Sequence, residues 1–287
     1  MTWVILTILA VASRSTYSLA TRLLSTHVKV SSITQSILLT FFAFLISLVL
    51  SPFFGGISFA HLQSVWIPTL IMIISGAAGN ILFFNGQSKL DAGTTQIAFS
   101  SIVLWGVILS LGFLGSHFSL LQFFGIVLLL FAILLIQYKK GNYKIESAAL
   151  WICASAACFA IFQVSSASLS KTMSAGTYLP LAYGGSTLIV VVLYYKQFIK
   201  DFSILRQNTV NVLQKGFFAS GTSLLYFVFS YLAYAAAPDR GVVVLLLTTQ
   251  TILSVILGII FLKETAGMKR KLIAGAIAVV ASIFIKA

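Results

Sequence analysis

Ten apolar runs of about 20 residues follow one another along this chain, and about 20 helical residues at 1.5 Å rise cross the roughly 30 Å of a bilayer's hydrocarbon. The runs are continuous rather than alternating, so a transmembrane barrel, with its short strands of period two, is excluded. Charge agrees, because only 8% of residues are Asp, Glu, Lys or Arg. A water-facing domain carries about a quarter. The chain reads as an all-α polytopic membrane protein whose main environment is the lipid bilayer.

The expected spans are 2–24, 32–50, 65–87, 91–114, 120–138, 147–169, 178–195, 215–236, 239–262 and 271–285. The first has no basic segment before it and carries Arg14 inside its apolar core, so it is expected to be retained rather than cleaved as a signal peptide. Ser51-Pro52 is a natural stop for the second.

Between the fifth and sixth runs lies Lys139-Lys140-Gly141-Asn142-Tyr143-Lys144-Ile145-Glu146, a dense charge cluster near the middle of the chain. It divides residues 1–138 from residues 147–287, with five runs on each side. Five is odd, so the second set must enter the bilayer with the opposite orientation. The expected architecture is therefore ten transmembrane helices in two inverted-topology five-helix repeats, joined by a cytoplasmic hinge at 139–146. Inverted repeats of this kind are associated with alternating access.

Internal matches support a duplication. Sliding the sequence by 148 residues places Trp3 on Trp151, Asp91 on Asp239 and Gly93 on Gly241, so both fourth-type spans open with Asp-Xaa-Gly. Both aspartates suit the start of a helix. The loops after odd-numbered spans hold fourteen Lys and Arg and the other side three. The positive-inside rule then puts the odd loops and the hinge in the cytoplasm and both termini outside.

Two halves of five spans resemble the EamA-type transporters of the drug/metabolite transporter superfamily. Phe261-Leu262-Lys263-Glu264 followed by Gly275 is similar to that family's apolar run ending in a glutamate, with a glycine about ten residues on in the last helix. The first half departs from the pattern, with Gly115-Ser116-His117 before Gly125 and no glutamate. The resemblance implies an inner-membrane exporter or exchanger of small organic solutes, with a central cavity between the halves.

Arg14 is the sharpest chemical signal. A guanidinium at mid-span costs about 2.5–3.5 kcal/mol on insertion scales, so it must face a cavity or a partner. It would hold an anionic group of the cargo through paired donors, or lock helices by bonding backbone carbonyls. The five acidic residues, Asp91, Glu146, Asp201, Asp239 and Glu264, all fall in loops or at helix ends. Small multidrug transporters carry a glutamate in mid-first-helix, where this chain has Arg14, so exchange of protons for cationic drugs is disfavoured. An anionic or zwitterionic metabolite, such as an amino acid, suits the charge better.

Tyr17, Asn80, Asn85, Gln96, Trp105, Gln163, Tyr183, Tyr226 and Gln250 are further intramembrane polar groups expected to line a substrate cavity. Asp239-Arg240 is a candidate outer gate. Gly76, Gly79, Gly184, Gly185 and Gly221 are read first as close-packing positions and second as hinges.

Other classes fit less well. His27, His61 and His117 are scattered in separate loops, and no HExxH, paired carboxylate or phosphate loop occurs, so no enzyme, metal or cofactor is expected. Cys153 and Cys158, five apart in one span, suggest packing. The net charge of +13 sits in loops with no basic folded domain, which argues against nucleic acid. A monomer is expected because both halves share one chain. The alternatives are a non-transporting scaffold or receptor, which flux separates from a transporter, and a multidrug efflux protein.

Overall fold

Among the described residues the regular structure is helical apart from one ladder of two residues a side. The computed structural model describes residues 2–27, 29–60, 62–114, 119–139, 142–143, 146–169, 172–236, 246–247 and 249–286. Its helices are α1 (Thr2–His27), α2 (Ser32–Leu50), α3 (Trp66–Gln87), α4 (Ala92–Phe99), α5 (Ile102–Leu114), α6 (Leu120–Gln137), α7 (Ser147–Leu169), α8 (Ala175–Gln207), α9 (Thr209–Ala236), α10 (Gln250–Leu262) and α11 (Met268–Lys286). Five helical stretches, 2–27, 32–54, 62–87, 147–166 and 175–207, are long and apolar enough to cross a membrane. Leu120–Ile136 and Gln250–Leu262 are shorter apolar helices.

The distribution of polarity is that of a protein sheathed in lipid. Val49, Phe53, Leu120, Leu193 and Phe261 are exposed, whereas Ser15, Thr21, Thr34, Ser36, Thr40, Ser155 and Ser220 are fully buried. Small hydroxyl residues let helices approach closely and spend their hydrogen bonds internally, which water-excluded packing requires. Ser155 Oγ donates to Gly79 O at 2.7 Å and Ser220 Oγ to Leu39 O at 2.8 Å, each tying one helix to another.

The most extensive helix contacts join the two halves: α3 with α7, α1 with α9, α6 with α11, and α2 with α8. Glycine makes some of them possible. A Cβ on Gly125 of α6 would lie 2.8 Å from Ala281 O and from Ile285 N of α11. Between α6 and α7, Tyr138–Lys139 and Asn142–Tyr143 pair antiparallel, Tyr138 opposite Tyr143.

Two elements differ from the sequence expectation. The run 91–114 is broken into α4 and α5 at Ser100 and Ser101. Ser100 Oγ donates to Ile97 O, and the Ser101 amide bonds Ala98 O three residues back. Serine competes in this way with the helical ladder. The run 178–195 is longer than its apolar core. α8 continues to Gln207 beyond a kink at Tyr194, where φ is −124° and ψ is 27°. The Asp239-Arg240 pair, Lys171, His61 and the Gly115-Ser116-His117 loop lie outside the described residues.

Candidate functional site

Arg14 stands at the middle of α1, partly buried, with its guanidinium among three rings. Its Cζ is 4.8 Å from the ring centre of Tyr17, 5.0 Å from Phe99 and 5.3 Å from Tyr226. Tyr17 is three residues on along the same helix, the spacing that puts side chains on one face. Phe99 ends α4, and Tyr226 comes from α9. A cation over an aromatic face is stabilised by about 0.5–2 kcal/mol per ring, more where water is excluded. These rings hold the charge without using its N–H donors. Arg14 makes no hydrogen bond or ion pair with any other described residue.

The rings continue as a chain. Tyr17 is 6.1 Å from Phe83, Phe83 5.7 Å from Phe99, and Phe99 5.7 Å from Phe159. Phe159 is 6.1 Å from Phe162, Phe162 6.3 Å from Phe227, and Phe227 5.4 Å from Tyr226. Rings from α1, α3, α4, α7 and α9 thus form a circuit that leaves Arg14 at Tyr17 and returns to it at Tyr226. Most contacts are edge-on or tilted, the favoured geometry for ring quadrupoles. Gly76 and Gly79 seat two of the rings. A Cβ at Gly79 would be 3.0 Å from Phe159, and one at Gly76 would be 3.1 Å from Phe162.

The other sequence candidates divide. Gln250 begins α10 and its carbonyl accepts from Ser15 Oγ at 3.1 Å, which ties α10 to α1 at the residue after Arg14; its side-chain Oε1 is buried without a partner among the described residues. Gln96, 1% exposed, likewise has an unpartnered Oε1 one turn before Phe99. Tyr183 joins the circuit edge-on to Phe227 at 6.3 Å and bonds Ser223 Oγ at 3.2 Å. Trp105 donates to Cys153 O at 3.0 Å, pinning α5 to α7. Asn80 is turned back on its own helix, donating to Gly76 O at 3.0 Å, and Asn85 accepts from Ser32 Oγ. Gln163 is not brought to the cluster: it is exposed next to buried Phe162 on α7. Phe83, Phe99, Phe159, Phe162 and Phe227 were not expected from sequence, where they are five of 24 phenylalanines.

A second cluster lies about two turns from Arg14, toward the C-terminal end of α1. Arg22 Nε is 3.6 Å from Glu264 Oε1, and its Nη1 donates to Gln87 O at 2.7 Å. Glu264 Oε2 accepts from the Ala92 amide at 2.9 Å, at the start of α4. Asp91 caps the same helix by accepting from the Thr94 amide at 2.8 Å, and Lys271 Nζ of α11 lies 3.2 Å from Asp91 Oδ2. Two carboxylates at one helix start suit its positive end. They also repel: burial first, then the Asp91 charge, raises the Glu264 pKa above the usual carboxylate range, against the pull of Ala92 N–H, Arg22 and Lys271.

A third acid works alike. Asp201 Oδ2 accepts from Ser31 N at 3.0 Å, Ser31 Oγ at 2.6 Å and Thr34 Oγ1 at 2.7 Å, closing the start of α2. Two acids of the second half therefore close helix starts of the first.

Among the described residues there is no group of His, Cys, Asp and Glu able to hold a metal ion. What the central cluster offers is a cation with no acceptor among the described residues, flat apolar walls and a few amides, which is binding chemistry.

Comparison with known proteins bears on family and fold. The EamA-like transporter family model matches residues 1–138. No curated protein matches the chain. A solved structure described only as "Crystal structure of protein" aligns with 99% of this chain and 94% of its own, at TM-score 0.58 and 14% identity. At that identity it speaks for the fold alone. Residues 1–138 thus match the EamA-like transporter family, which belongs to the drug/metabolite transporter superfamily.

Proposed function

We propose that the protein moves a small anionic or zwitterionic organic solute across the inner membrane by alternating access, with Arg14 engaging the acidic group of the cargo. The observation that carries this is the Arg14 guanidinium, wrapped by Tyr17, Phe99 and Tyr226 and left without an acceptor among the described residues. A structural arginine spends its donors on carbonyls or carboxylates. This one keeps them for something else, in a ring-walled space where a charge-assisted bond is strong.

The mechanism we favour uses two inverted five-helix halves, each of five spans. Helix pairing supports it: exchanging each helix for its counterpart five spans away turns the α1–α9 contact into the α7–α3 contact, and both are among the largest in the fold. The α6–α11 and α2–α8 contacts map onto themselves. The Arg22–Glu264 and Lys271–Asp91 pairs would close the cytoplasmic mouth in the arrangement described, and rocking of the halves would part them. The hinge and odd loops face the cytoplasm in this scheme, with both termini outside.

The test is solute counterflow into proteoliposomes from a pooled metabolite extract, read by mass spectrometry. Protein-dependent uptake of organic anions or amino acids is expected, and Arg14→Gln should lose more than about tenfold of it, the equivalent of one charge-assisted hydrogen bond. Full flux in Arg14→Gln would overturn the role of Arg14. No flux from folded wild-type protein would favour a scaffold or receptor.

A further inference from the structure

α8 is 33 residues long, and its first 20, Ala175 to Tyr194, already measure about 30 Å, the thickness of the hydrocarbon. The tail, residues 195–207, starts at the kink and falls at the membrane surface. It does not continue along α2. Thr187 Oγ1 of α8 donates to Thr40 Oγ1 of α2 at 2.8 Å, and Asp201 accepts from Ser31. Fourteen residues of α8, a path of roughly 21 Å, separate these contacts, against nine residues or roughly 14 Å on the α2 side. The tail therefore leans across the start of α2, toward the plane of the bilayer.

Three stripes run along this tail, each at the three- and four-residue spacing of one helix face. Phe198, Asp201 and Leu205 turn inward, the last two buried. Tyr195, Ile199, Phe202 and Arg206 form an outward stripe that is apolar but for its end, with Ile199 65% and Phe202 56% exposed. Lys196, Lys200, Ser203 and Gln207, all exposed, form the stripe beside it. A groove of about 920 Å³ follows the outward face, lined by Phe198, Ile199, Phe202, Ser203, Arg206 and Gln207. Lys196, Lys200 and Arg206 have no carboxylate partner among the described residues. The tail's own acid, Asp201, faces inward, and its oxygens already accept from Ser31, Thr34 and Gln197. A helix in water would not expose this aromatic and aliphatic stripe, and a helix in hydrocarbon would not carry three unpaired cations. Both together are the composition of a helix at the headgroup level.

We propose that residues 195–207 are a docking ledge for an anionic glycerophospholipid. An acyl chain lies in the groove against Ile199 and Phe202. The phosphate is held at the Arg206 end of the groove through paired guanidinium donors, with Lys196 and Lys200 on the adjoining stripe supplying further positive charge. Charge complementarity selects this occupant. A second copy of the chain would bring like charges together on the same stripes, and a free phosphate would leave the apolar groove facing water.

The experiment titrates purified full-length protein in detergent with phosphatidylglycerol or phosphatidylcholine, reading bound lipid by native mass spectrometry and stability by melting temperature. Saturable binding of phosphatidylglycerol with a raised melting temperature is expected, and much weaker binding of phosphatidylcholine. The triple variant Lys196→Gln, Lys200→Gln, Arg206→Gln should lose more than about tenfold in affinity for phosphatidylglycerol. Lys29→Gln, Lys89→Gln, Lys269→Gln removes the same charge from other exposed positions and should keep it. Phe202→Ser should weaken binding with the charge intact, and glycerol 3-phosphate, which has no acyl chain, should not compete. The substituted side chains are exposed, so each variant should melt with wild type when lipid is absent. Equal loss in both triple variants would overturn the ledge in favour of diffuse charge attraction. Competition by glycerol 3-phosphate would overturn it in favour of a free-anion site, and a dimer broken by Phe202→Ser in favour of self-association. Unchanged affinity in the Lys196, Lys200, Arg206 variant would overturn it outright.

Discussion

Arg22 of α1 reaches across the molecule to Glu264, Nε to Oε1 at 3.6 Å, and so joins the first helix of one half to the last turn-and-helix of the other. The same carboxylate holds the Ala92 amide at the start of α4. Its pKa is raised above the usual 4.5, chiefly by burial. A carboxyl whose folded pKa lies above its unfolded one binds more protons when folded, so stability falls as pH rises from 4.5 through the raised value. Melting curves across that window should show wild type losing stability relative to Glu264→Gln. A flat difference would mean that the carboxyl titrates normally. By the same linkage, acid should favour the arrangement that buries a protonated Glu264 over any form that wets it.

Arg14 is expected to trade stability for function. Arg14→Leu removes an unpaired charge from mid-membrane, so the protein should melt no lower than wild type while transport is lost. A large drop in melting temperature would instead mark Arg14 as a structural lock. Tyr226→Leu should weaken cargo binding through the guanidinium, by about 0.5–2 kcal/mol for the lost ring face.

Asp201 should prove structural. Asp201→Asn keeps the size but weakens three bonds to the start of α2, from Ser31 N, Ser31 Oγ and Thr34 Oγ1. The expected loss is about 1–3 kcal/mol, visible as a lower melting temperature. Anion binding at Arg14 should survive in the protein that remains folded.

Gly125 should tolerate nothing larger. A Cβ there meets backbone, Ala281 O and Ile285 N, both at 2.8 Å, and backbone cannot rotate aside. Gly125→Ala should cost about 1–3 kcal/mol by overpacking α6 on α11. Gly221→Ala, where a Cβ meets nothing within 4 Å, is the matched control and should be near neutral.

How far the sequence led depended on contrast. Arg14 stood out because it is a charge in an apolar run, and Tyr17 and Tyr226 because they are amphipathic. All three meet in space. Asp91 was legible as a helix cap from its Asp-Xaa-Gly setting, and it is one. Phe99 was not legible, since a phenylalanine among 24 carries no mark of facing a cation rather than lipid. Gln163 misled for the opposite reason: one polar residue in a span says little about which way it faces, and this one lies beside Phe162 yet on the exposed side of α7. The break at Ser100 and Ser101 was hidden because two serines barely lower the hydropathy of a run, though the Ser100 hydroxyl takes up the Ile97 carbonyl. The length of α8 was underestimated because Lys196, Lys200 and Asp201 end the apolar run without ending the helix.

The pairing of α1 with α9 and of α3 with α7 also sets an order of events during synthesis. Some 180 residues separate the end of α1 from the start of α9, which a ribosome making about 5–20 residues per second covers in roughly ten to forty seconds. Through that interval the nascent chain holds Arg14 in the membrane with Tyr226 not yet made. The first half inserts early but waits for its partners, and a cell's surveillance proteases meet it in that unfinished form. Variants that slow the arrival or docking of α9 should therefore lower abundance more than they lower the melting temperature of the protein that survives.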